Sequence, residues 1–164
     1  MHLLYCEESN LKEKAGDFFL YSGITIDSEK AKAISHEIDA IREKLKVPKD
    51  YQLKFNPGPK GFSNDQFIEL KEAVINVAVS HKLNLILYSV LHDIAHNPDE
   101  ARRYGINTVC YNFDCILKRI NATGVVLIDR FNDRGNKIDA HLSEKFSIGV
   151  KAMPFSEEIR LSNI

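Results

Sequence analysis

The spacing of apolar side chains changes period several times along the chain, and each change marks an element. The run Leu3-Leu4-Tyr5-Cys6 is short and followed by acids and polar residues, which predicts a strand over about 2–7. A second strand is expected over about 17–27, where Phe18-Phe19-Leu20-Tyr21-Ser22-Gly23-Ile24-Thr25-Ile26 is rich in aromatic and β-branched residues. That run is nearly continuous, so burial on both faces is expected. The period then lengthens. Ala31, Ile34, Ile38, Ile41 and Leu45 recur at intervals of three and four, the stripe of an amphipathic helix. Asp27 or Ser28 can cap it, and Pro48 lies just past its end.

A short extended piece over 51–55 meets the turn-rich Asn56-Pro57-Gly58-Pro59-Lys60-Gly61. Ser63 with Gln66 three residues later is a capping box, opening a helix with Phe67, Leu70, Val74, Val77 and His81 on one face. Residues 83–90 read as a buried strand. Asn97 and Pro98 suit the N-cap and first position of a further helix, and Asp99 and Glu100 complement its dipole. Its buried stripe is Ile106, Val109, Cys110, Phe113, Leu117 and Ile120. The strand Val125-Val126-Leu127-Ile128 then ends on Asp129, and a last helix over about 133–150 turns Ile138, Leu142 and Phe146 inward. An opening β-hairpin followed by alternating strands and helices predicts an α/β fold, a mixed sheet with helices packed on it.

Composition adds limits. A length of 164 residues suits one domain, 1–164, with a sizeable core. The net charge of −1 gives no global attraction to nucleic acid, so phosphate recognition would need a local basic patch. Cys6, Cys110 and Cys115 form no C-x-x-C pair and fit buried thiols in a reducing compartment. Neither a signal segment nor a membrane span is evident, so a cytoplasmic protein with no membrane partner is expected. Asn121-Ala122-Thr123 is a glycosylation sequon in form only. The Walker phosphate loop, the dinucleotide fingerprint and G-x-S-x-G are all absent, which removes the usual support for nucleotide triphosphatase and esterase classes.

The candidate chemistry lies at two strand ends. The first strand runs into Glu7 and Glu8, and the later one into Asp129. Ligand sites in α/β sheets gather beyond the carboxyl ends of strands. Carboxylates brought close together there repel, and a divalent cation such as Mg²⁺ or Mn²⁺ resolves the conflict. Pairs of such ions are a recurring solution to phosphodiester cleavage.

The segments "YCEESN", "FFLYSGITI", "YQLKF" and "VVLIDRFND", in this order, resemble the bacterial family catalogued as domain of unknown function 3800, which is grouped with ribonuclease H-like proteins. The resemblance extends over most of the chain and implies a ribonuclease H-like core and a metal-dependent nuclease acting on nucleic acid. On that resemblance Glu7 stands at the family's leading Asp, Glu8 and Ser9 match directly, and Asn10 replaces a Gly at a turn where Asn also tolerates positive φ. Lys54 matches the family's lysine, Gln52 stands where a Glu is expected, and Asp129 matches the late strand-end acid. The implied roles are Glu7, Glu8 and Asp129 in catalysis, with Glu7 and Asp129 ligating Mg²⁺ or Mn²⁺, and Lys54 and Arg130 steadying phosphate. The family's Gln-x-x-Asp segment on a C-terminal helix has no counterpart before Leu161-Ser162-Asn163-Ile164. The chain is therefore expected to be C-terminally truncated, or else a catalytically inactive member acting as a binding or oligomerisation module, with a homo-oligomer as one form.

Other motifs are weaker. His92-Asp93-Ile94-Ala95-His96 mimics H-E-x-x-H, but it lies between a strand and a restarting helix, where the two imidazoles do not share a helical face. Arg102-Arg103 and Lys118-Arg119 read most simply as the solvated face of a helix. Arg130, Arg134 and Lys137 closely follow Asp129, where cations could hold a nucleic-acid phosphate.

Overall fold

Two extended segments, β1 (His2–Ser9) and β2 (Phe18–Asp27), form an antiparallel pair in the computed structural model. The model describes residues 1–10, 16–54, 56–95, 97–128, 137–150 and 159–164, apart from the side chains of 137, 145, 147 and 148. The expected opening hairpin is present. β3 (Asn84–Leu91) adds antiparallel to β2, and β4 (Gly124–Ile128) adds parallel to β1, giving a mixed four-stranded sheet in the order β3-β2-β1-β4. The helices are α1 (Ser28–Lys44), α2 (Asn64–Ser80), α3 (Pro98–Arg119) and α4 (Lys137–Ile148). Residues 133–136, where the last helix was expected to begin, lie outside the described residues.

The chain divides into two compact units, one of residues 1–27 with 84–164 and the other of residues 28–83. The first holds the sheet, α3 and α4. Among the described residues its core is built on one sheet face: Leu4, Cys6, Phe19 and Tyr21 meet Ile106, Val109, Cys110, Phe113 and Leu117 of α3 and Ile138 of α4. Gly105 permits the close approach of α3, because a β-carbon there would lie 2.7 Å from Cβ of Tyr21. Asn97 caps α3 by accepting from the Glu100 amide at 2.8 Å, with Pro98 at the first position, as its sequence predicts. Buried Asp114 ties the segment 161–164 to the unit, since its Oδ1 accepts from the amides of Ser162 (3.1 Å) and Asn163 (2.8 Å). Lys118 Nζ neutralises its other oxygen at 2.6 Å.

The second unit pairs α1 with α2 around Val47, Phe67 and Leu70, with Ile41, Leu45 and Val74 packed against them. The capping box at Ser63 and Gln66 is complete, with Gln66 Oε1 accepting from the Ser63 amide at 2.8 Å and Ser63 Oγ from the Gln66 amide at 3.3 Å. His81 Nε2 meets Glu37 Oε1 at 2.8 Å, joining the two helices.

Three expectations are corrected. β2 is buried on alternate residues rather than on both faces, and Phe18 is exposed. β3 is an edge strand with Leu85, Leu87 and Leu91 exposed, not a buried one. The cause is the same for both: the helices packed on this sheet cover one face, and apolar content does not report how many faces are covered. The described part of the segment 51–55 is irregular rather than extended in a ladder. Its backbone instead satisfies side chains: Arg42 donates to the Tyr51 carbonyl at 2.9 Å and the Tyr51 hydroxyl to the Lys54 carbonyl at 3.0 Å.

Candidate functional site

β1 and β4 lie side by side as parallel neighbours. Their register runs from His2↔Gly124 to Cys6↔Ile128, so the last pair consists of the residues immediately before Glu7 and Asp129 in sequence. β1 itself continues to Ser9, two residues further than predicted, because Glu7, Glu8 and Ser9 stay paired with Ser22, Tyr21 and Leu20 of β2. Asn10 then turns with φ of 57°, the left-handed conformation that Asn tolerates.

Strand alternation separates the two acids. Leu4, Cys6 and Glu8 face α3, whereas Tyr5 and Glu7 face the other side. Glu7 is exposed. Glu8 is held by Arg102, whose Nε donates to Oε2 at 2.7 Å and whose second guanidinium nitrogen donates to Oε1 at 3.2 Å. Asp99 stands 3.9 Å from the same guanidinium. This corrects the reading of Arg102 as part of a solvated surface: only 5% of it is exposed. The signal was present in the spacing. Arg102 precedes Ile106 by four residues and so begins the stripe continued by Val109, Cys110, Phe113 and Leu117. Residue type suggested solvent, but position dictated burial.

Beneath Glu8 the site is apolar. Tyr21, opposite Glu8 in the ladder, is fully buried beside Cys6. Burial pushes the Cys6 thiol up to about 11, partly offset by the neighbouring Tyr21 hydroxyl. Burial also raises the Tyr21 phenol and the Cys110 thiol, so all three are neutral at physiological pH.

Of the remaining predicted residues, Asp129 and Arg130 lie outside the described residues, as does Arg134. Lys54 is exposed in the second unit, with Asp50, Tyr51, Gln52 and Lys60 on the wall of an open concavity of about 400 Å³. Residues 92–94 form a turn, with the amides of Ile94 and Ala95 donating to the Leu91 carbonyl, so His92 is not on a helix. His96 lies outside the described residues. A divalent ion at this edge would draw on acidic oxygens, and both oxygens of Glu8 are engaged by Arg102. Glu7 is exposed on the other face of β1. Among the described residues no cluster of three or more His, Cys, Asp and Glu side chains is arranged to hold an ion.

No protein-family model, curated protein or solved structure matches the chain. No helix of the described residues is long and apolar enough to cross a membrane.

Proposed function

We propose that this protein is a cytoplasmic, metal-dependent nuclease with a ribonuclease H-like core, in which Glu7 and Asp129 hold Mg²⁺ or Mn²⁺ at the shared end of β1 and β4. The single observation carrying this reading is the parallel register that ends at Cys6↔Ile128, one residue before each acid. Acids at adjacent parallel strand ends are the arrangement that a divalent ion stabilises. The ion would supply activation of water and neutralisation of the leaving oxygen. Glu7 contributes negative charge at the open edge. Glu8 and Arg102 fix the end of β1 by a bidentate pair, making Glu8 a positioning residue in this reading. Arg130, next in sequence to Asp129, would steady substrate phosphate with a planar charge.

A second reading, a binding or oligomerisation module without catalysis, is favoured by the engagement of Glu8 with Arg102 and by Gln52 at the position of an expected acid. Calorimetric titration with Mn²⁺, paired with a phosphodiester cleavage assay, separates the two. The nuclease reading expects micromolar to sub-millimolar binding that Glu7→Gln weakens and Asp129→Ala abolishes, with cleavage lost in parallel. Absence of both Mn²⁺ binding and cleavage in the unaltered chain would overturn it in favour of the module.

A further inference from the structure

We propose that the outer face of the sheet, opposite α3 and α4, is the surface through which two copies of this chain associate. The ladder register places Val125 and Leu127 of β4 beside Leu3 and Tyr5 of β1, then Ile26 and Ile24 of β2, then Leu85 of β3 beside Ile24. Leu87 extends the patch beside Ser22. Its most open members are Leu85 (67% exposed), Leu87 (56%), Tyr5 (44%), Val125 (43%) and Leu127 (40%). Single exposed apolar residues need no explanation, but a contiguous patch across all four strands does.

Size selects the occupant. The five most open members together expose on the order of 500 Å² per copy, so two stacked copies would bury about 1,000 Å², the least that a specific protein–protein interface needs. The surface is self-compatible, as a two-fold contact requires. β3 carries no charged residue from Asn84 to Leu91, and neither do the outward positions of β4. Polar residues form a band across the face, where Glu7 pairs with Ser22, and Ser9 and Ser89 flank Leu20, with exposed Phe18 and Leu91 beyond it. Two sheets stacked face to face pack about 10 Å apart and interdigitate such side chains. This inference does not depend on the nuclease reading, and it leaves Glu7 at the rim of the contact.

Sedimentation equilibrium of the full chain across the micromolar range tests it, with Leu87→Glu and Val125→Glu at opposite sides of the patch. The expected result is a monomer–dimer equilibrium that each substitution weakens about a hundredfold, since each buries a charge without a partner. Ile75→Glu, at an exposed position in the second unit, leaves it unchanged. Circular dichroism checks that each variant folds. Leu87→Ser, which adds no charge, serves if the glutamates do not fold and weakens the dimer about tenfold. A monomer at every concentration overturns the proposal and leaves the face to another part of the chain or a different protein. A dimer indifferent to substitutions at both sites overturns it equally.

Discussion

Arg102 is held by charge on one side and by apolar packing on the other, which makes it sensitive to conservative change. Replacing it with Met keeps the aliphatic volume but leaves Glu8, whose side chain is 21% exposed, without its bidentate partner. Breaking a buried pair costs about 3–5 kcal/mol, and the residual exposure of Glu8 puts Arg102→Met near about 3 kcal/mol. Arg102→Lys recovers only part, because an ammonium cannot reproduce the two-pronged geometry. Urea titration measures both, and a loss under about 0.5 kcal/mol would mean that the pair behaves as a surface one. The thiols give a second expectation. With Cys6 raised to about 11, roughly one molecule in a thousand carries its thiolate at pH 8. A thiol-reactive dye should therefore label half-buried Cys115 first, and Cys6 and Cys110 only on unfolding. At this scale the sequence was legible where chemistry is local. The caps at Asn97 and Ser63 and the turn at Asn10 depend on near neighbours alone. The Glu8–Arg102 pair spans 94 positions, and nothing near either residue announces the other.

The contact of α3 with β2 depends on a missing side chain. Gly105→Ala gains about 1 kcal/mol of helix propensity, yet its methyl carbon would lie 2.7 Å from Cβ and 3.1 Å from Cγ of Tyr21. Tyr21 is fully buried and its Cβ is fixed to a central strand, so it cannot swing aside. Overpacking costs about 1–3 kcal/mol, which outweighs the gain, and the variant should melt lower in a thermal scan. A higher melting temperature would show that α3 shifts freely on the sheet. Helices were the readable elements, because a period near 3.6 with caps is a strong signal over seventeen or more residues. Strands were found in the right places but their exposure was misjudged. Phe18, Leu85 and Leu87 are as apolar as core residues, and what distinguishes them is their exposure, which is a tertiary fact.

Titration of the whole molecule follows from its neutral buried acids. Cys6 is raised from its ordinary value near 9 to about 11, and Cys110 and Tyr21 are also raised, all chiefly by burial. The folded state therefore binds more protons than the unfolded one above pH 9. Stability is fully present below that value and is lost as pH rises through about 11. Denaturation midpoints measured from pH 8 upward should fall steadily, and a flat profile would mean that these groups contact water. At this scale the α/β class and mixed sheet were legible from the order of elements. The division into two units was not, because residues 28–83 continue the same amphipathic pattern without a change of composition. For the candidate site, the pairing of β1 with β4 decides whether two distant acids are neighbours, and no local pattern specifies a partner so far along the chain.

That pairing has a consequence for synthesis. Of the four strands, β1 and β2 leave the ribosome before the others, and they can close as a hairpin at once. β3 arrives only after the 56 residues between Asp27 and Asn84, and β4 later still, with His2 finally meeting Gly124. Until α3 follows, the inner face of the young hairpin lacks the helix that buries Leu4, Phe19 and Tyr21. The unit of residues 28–83, whose contacts are nearer in sequence, can mature in the interval. The nascent chain therefore carries a sticky hairpin through this interval, which is the state in which chaperone capture, or mispairing with the hairpin of a neighbouring nascent chain, would be decided.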